Sequence, residues 1–127
     1  MVGLMVCAHA FAATGDVYPL PWPHKGQVLR YQSCGCADSC WVAEVLDKRK
    51  ISIKNHSNLR MKSKDSKAIV ARLGCDCERL YYDERPAAAV DSPSKDLGSC
   101  EPINSSDQKF ELIPKLLEQQ MNESRQR

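Results

Sequence analysis

The sequence is poor in aromatics, poor in histidine and free of long apolar runs. Only 6% of its 127 residues are aromatic, three are histidine and 27% are charged. No segment approaches the roughly 18 consecutive apolar residues that a membrane-spanning helix needs. The spacings that mark common hydrolases and nucleotide enzymes are missing too. There is no Gly-x-Ser-x-Gly, no His-Glu-x-x-His and no phosphate-cradling glycine loop. The redox pattern Cys-x-x-Cys is also absent. His24 and His56 stand without a nucleophile or carboxylate in a recognisable local motif. Asp83 and Glu84 are adjacent, so on a strand they face opposite ways, which argues against paired-carboxylate catalysis. The expectation is a protein that is not an enzyme and has no metal ion or other cofactor.

Cysteine, by contrast, is plentiful: there are seven. Cys7 lies in an almost uncharged opening that ends in Ala10-Phe11-Ala12, the small-x-small pattern cut by signal peptidase. Residues 1–12 are therefore expected to be a signal peptide. Its missing basic start is explained if the true start lies upstream. The expected location is the bacterial periplasm or the medium. The other six, Cys34, Cys36, Cys40, Cys75, Cys77 and Cys100, form an even set in a small exported domain, which reads as a disulfide framework. Zinc is the rival. Structural zinc sites favour Cys-x2–4-Cys spacing, which Cys36 and Cys40 meet and Cys75 and Cys77 do not.

Cys34-Gly35-Cys36 and Cys75-Asp76-Cys77 are two Cys-x-Cys units. On a strand, residues i and i+2 share a face. Two such units on neighbouring antiparallel strands would give parallel staples, Cys34 to Cys77 and Cys36 to Cys75, leaving Cys40 for Cys100. This is the preferred arrangement among many.

Residues 13–127 read as one disulfide-stabilised domain. Pro19, Pro21 and Pro23 make residues 13–25 an extended lead-in, with Tyr18, Leu20 and Trp22 alternating as an apolar strap or, alternatively, as part of a binding surface. Short strand candidates follow at residues 27–32, 41–46, 51–54 and 59–62. Residues 69–77 alternate as a further strand, which residues 79–82 continue; a short helix from Ser66 to Gly74 is the alternative. Residues 86–108 read as a long loop pinned by Cys100. Ile113, Leu117 and Met121 mark a C-terminal helix with Pro114 in its first turn, and residues 122–127 as a fraying tail. The expected fold class is α+β: mainly an antiparallel β meander, as a small barrel or sandwich, with a C-terminal helix and three disulfides.

Charge is unevenly spread. Residues 48–72 carry nine basic side chains against Asp65, while residues 73–127 carry seven basic and eleven acidic ones. The basic stretch fits an anionic partner. Tyr81, Tyr82, Asp83, Glu84 and Arg85 lead from a strand into the long loop and have the composition of a protein contact. With Lys48, Arg49 and Lys50 they are the expected partner-binding residues. The leading functional expectation is an exported inhibitor or immunity protein that blocks a secreted toxin or a cell-wall hydrolase. One alternative is an accessory component of a cell-envelope or secretion assembly. Another is an anionic-ligand binder using residues 48–72. Nucleic acid and membrane insertion are not expected.

Overall fold

The computed structural model describes residues 17–51, 68–84 and 94–126. Six strands form one antiparallel sheet: β1 (Val17–Leu20), β2 (Gln27–Gly35), β3 (Cys40–Asp47), β4 (Ile69–Asp76), β5 (Arg79–Glu84) and β6 (Lys95–Ser99). Their spatial order is their chain order, an uninterrupted meander. A short helix α1 (Glu101–Asn104) and a long helix α2 (Lys109–Arg125) complete the described chain. The expected α+β meander with a C-terminal helix and three disulfides is borne out. The sheet does not close: β1 and β6 remain at its two edges. The barrel variant is thereby corrected to an open sheet, and no described residue belongs to a second one.

The core lies where α2 covers one face of the sheet. Alternation supplies that face with Leu29 and Tyr31 from β2, Trp41, Ala43 and Val45 from β3, and Ala71, Leu73 and Cys75 from β4. Leu80 and Tyr82 of β5 extend it. Ile113, Leu117 and Met121 answer from the helix at a spacing of four residues. The lead-in acts as the expected strap. Tyr18, Leu20 and Trp22 pack against the core, and Pro19 sits exposed on the edge strand, where proline is tolerated. His24 Nε2 meets Glu118 Oε1 at 3.0 Å, fastening the end of the strap to the helix.

The other face carries a rung of alternating charge. Arg30, Glu44, Arg72 and Asp83 are direct register neighbours on β2, β3, β4 and β5. Arg30 Nη2 donates to Glu44 Oε1 at 2.7 Å, and Arg72 Nε approaches Glu44 Oε2 at 3.6 Å. Arg30 and Glu44 are only 3% and 4% exposed, so this pair is part of the interior.

Three local expectations are corrected. Residues 79–82 do not continue β4. Cys77 adopts a left-handed backbone (φ 77°) and the chain reverses into β5. The long loop is shorter than its composition implies, because Lys95–Ser99 pairs with β5 and α1 follows at once. Helix α2 begins at Lys109, so Pro114 lies inside it, where it removes the N–H that would bond the Phe110 carbonyl. The helix runs through Arg125, and Ser124 Oγ donates to Glu84 Oε2 at 2.6 Å. The strand candidates at residues 51–54 and 59–62 lie wholly or largely outside the described residues. So do the signal segment with Cys7, His56, Arg85, residues 86–93 and most of the basic stretch. No described helix is long and apolar enough to cross a membrane.

Candidate functional site

The six cysteines gather at one end of the sheet, in pairs other than those expected. The bonds are Cys34–Cys40, Cys36–Cys77 and Cys75–Cys100. Two premises of the expected pairing fail. First, β3 lies between β2 and β4, so the two Cys-x-Cys units are not on neighbouring strands. Second, neither unit stays extended. Gly35 has φ 118° and Cys36 φ 53°, so Cys34 and Cys36 do not share a strand face, and Cys77 has left the strand. Cys34 instead meets Cys40 across the foot of its own hairpin. Cys36 and Cys77 join two adjacent turns. Cys75, pointing into the core, takes Cys100 at the start of α1. These loops have sequence separations of 6, 41 and 25 residues, which by chain entropy contribute roughly 2, 4 and 3.5 kcal/mol respectively.

The turn between β2 and β3 is the most unusual local structure in the described chain. Four consecutive residues have positive φ: Gly35 (118°), Cys36 (53°), Ala37 (51°) and Asp38 (68°). Three of them are not glycine, and each such residue costs about 1–2 kcal/mol in the left-handed region. Such a run persists only where its surroundings over-determine it. Two disulfides grip it, and Asp38 is the third hold. Tyr31 Oη donates to Asp38 Oδ1 at 2.7 Å, and Lys109 Nζ donates to Asp38 Oδ2 at 3.1 Å and to its carbonyl oxygen at 2.7 Å.

Lys109 is 8% exposed, and its ammonium lies 5.5 Å and 5.6 Å from the ring centroids of Tyr31 and Trp41. Burial pulls its pKa below the usual lysine value, while the Asp38 carboxylate works in the opposite sense. Burial, and then the bond to Asp38, push the Tyr31 hydroxyl well above the ordinary tyrosine range. Asn104 closes the arrangement from α1. Its Oδ1 accepts the Trp41 indole N–H at 2.7 Å, and its Nδ2 donates to the Ser39 carbonyl at 3.3 Å.

What this end presents outward is small and rigid. Cys34, Cys36 and Ala37 are exposed at the tip, and Asp76 and Glu78 are exposed on the neighbouring turn. Beside them is a half-open depression of about 490 Å³, lined by residues including Ser39, Arg79, Glu101 and Asn104. Among the described residues no three His, Cys, Asp or Glu side chains are gathered as a metal ion requires. His24, the sole histidine among them, is engaged with Glu118 on the strap.

The strain at the tip gives a direct expectation. Ala37→Gly removes the Cβ penalty at φ 51° and loses part of that gain to the freer unfolded chain. The net result should be a stabilisation of up to about 1 kcal/mol, read as a higher urea midpoint.

The residues expected to form one binding surface are divided by the sheet. Tyr82 is 6% exposed on the helix side, its hydroxyl donating to Glu84 Oε1 at 2.7 Å, so it packs the core. Tyr81 and Asp83 point to the opposite face. The Tyr81 ring lies over Gly74, where a Cβ would come within 2.2 Å of it. Burial raises the Tyr81 hydroxyl pKa. Lys48, Arg49 and Lys50 are exposed on a 3-10 turn capped by Asp47, at the end of β3 away from the disulfides. The tip of the β2–β3 turn was not anticipated, and neither were Asn104 and Lys109, which support it. Its one signal in the sequence is Gly35 between two cysteines, a residue free to take positive φ. No protein-family model matches this chain, and no curated protein or solved structure matches it.

Proposed function

We propose that this chain is an exported protein-binding domain, an inhibitor or immunity protein that blocks a secreted toxin or cell-wall hydrolase. Three disulfides fit an oxidising environment outside the cytoplasm, and the periplasm is the location proposed. The observation that carries the reading is the turn at residues 35–38. A short segment is held by two disulfides and the Asp38–Lys109 pair in a conformation that it would not keep alone, with Ala37 exposed at its tip. A loop fixed before it meets its partner loses little conformational entropy on binding, the usual economy of rigid inhibitors.

The test is capture of soluble exported enzymes by the intact mature protein. One enzyme should be retained in near-stoichiometric complex, with its activity abolished. Ala37→Arg should weaken that complex at least about tenfold, as for a central interface position, with the circular dichroism spectrum and urea midpoint unchanged. Recovery only with membranes or a large assembly would replace this reading with an accessory envelope role. A complex indifferent to Ala37→Arg but lost when Lys48, Arg49 and Lys50 are neutralised would favour the anionic-partner reading.

A further inference from the structure

We infer that the Cys34–Cys40 bond is an exchangeable disulfide, a modification site for a dithiol reductant, whose opening releases the turn without unfolding the domain. The inference rests on geometry at the end of the sheet and is independent of the protein-binding proposal.

Three observations separate this bond from the other two. The first is access. Cys34 is exposed and Cys40 half-buried, whereas Cys75 and Cys100 are 1% and 0% exposed. A thiolate must reach a disulfide sulfur to exchange with it. The second is what the bond encloses. The whole run of positive φ at residues 35–38 lies inside the ring closed by Cys34 and Cys40, so opening that ring lets the run relax. The third is redundancy. The Cys34–Cys40 bond closes a loop with a sequence separation of only 6 residues, and β2 and β3 are already paired from Gln27↔Asp47 to Ser33↔Trp41. Loss of the bond removes little chain-entropy stabilisation, and the hairpin keeps both thiols close enough to re-form it. Cys36–Cys77 also reaches the surface, but it joins two separate turns over 41 residues and its loss frees far more chain.

The chemistry balances as an ordinary two-electron exchange. One thiolate of the dithiol attacks Cys34 Sγ and forms a mixed disulfide, while the Cys34–Cys40 bond breaks and Cys40 leaves as a thiolate that takes up a proton. The second thiolate of the reductant displaces Cys34. Cys34 and Cys40 are left as thiols and the reductant as its own disulfide. Residues 35–39 then remain tethered through Cys36–Cys77, Asp38, the Ser39 carbonyl and the pairing of Gly35 with Cys40.

The experiment treats the oxidised mature protein with a dithiothreitol series, alkylates the thiols and maps them by peptide mass. Label should appear first on Cys34 and Cys40, at least about tenfold faster than on Cys75 and Cys100. The circular dichroism spectrum should be retained, with amide exchange rising over residues 36–39. Label arriving first on Cys36 and Cys77, or on all six together with loss of the sheet signal, overturns the inference. Cys34→Ser/Cys40→Ser should fold with its two remaining disulfides. Failure to do so would show that the bond cannot be separated from the fold and would equally overturn it.

Discussion

Glu44→Ala is expected to destabilise the protein by about 3–5 kcal/mol, measured as a fall in the urea midpoint with an unchanged slope. The carboxylate sits between two guanidiniums on the middle strands, 2.7 Å from Arg30 Nη2 and 3.6 Å from Arg72 Nε. Its removal takes from Arg30, which is 3% exposed, the carboxylate bonded to it at 2.7 Å. The penalty is chiefly that of leaving a charge in the interior without its carboxylate, so it should exceed the intrinsic worth of the pair. A second variant separates those quantities. Replacing both partners, as Arg30→Met with Glu44→Leu, removes the desolvation cost together with the attraction, and buried pairs treated in this way are often neutral or gain stability. The double variant should therefore lie well above Glu44→Ala. A loss below about 1 kcal/mol for Glu44→Ala would mean that the pair is solvated in solution, as a surface ion pair is.

The legibility of this fold follows the distance over which each feature is decided. Local periodicity located β3 and α2 because Trp41, Ala43 and Val45 alternate, and Ile113, Leu117 and Met121 recur every fourth residue. It favoured a strand without excluding a helix for residues 69–77, and the structure decides for the strand β4, with Ala71, Leu73 and Cys75 on the core face. It missed β6 because Lys95–Ser99 has little intrinsic strand preference and is ordered by pairing with β5. It overran the end of β4 because reversal depends on the backbone angle of Cys77, which no side-chain pattern reports. The C-terminal helix began earlier than Pro114 implied. Lys109 earns its helical place through the distant Asp38, a tertiary contact that overrides the start signal of a proline.

The candidate site was harder to read for the same reason. The six cysteines were correctly assigned to a framework by count and context, but their pairing depends on strand order and on four backbone angles at residues 35–38. Tyr81 and Tyr82 are neighbours in sequence, yet the pleat sends one ring over Gly74 and the other into the core. A surface inferred from a run of adjacent residues on a strand is thereby halved. Of the charge asymmetry, only the parts on described residues can be placed. Lys48, Arg49 and Lys50 lie at one end of the sheet and Asp76 and Glu78 at the other, because β3 and β4 run antiparallel and each ends in its own charged turn.

The buried disulfide should be the costliest of the three to lose in practice, although it does not close the longest loop. Chain entropy alone ranks Cys36–Cys77 slightly above Cys75–Cys100. Packing reverses that order. Cys75 and Cys100 lie within the main core cluster, and Asn104 Nδ2 approaches Cys75 Sγ at 3.5 Å while its Oδ1 holds the Trp41 indole. Cys75→Ala with Cys100→Ala would remove the crosslink, empty the volume of two buried sulfurs and loosen α1, whose first residue follows Cys100 directly. The combined cost is expected near the top of the 2–5 kcal/mol range for native disulfides in small exported domains. Cys34→Ala with Cys40→Ala should cost about 2 kcal/mol or less, since its ring is small and its removal relieves the left-handed run. Thermal unfolding of the two double variants at equal protein concentration gives the comparison. A larger drop for the Cys34 and Cys40 variant would show that the strained turn, and not the buried crosslink under Trp41, anchors this end of the sheet.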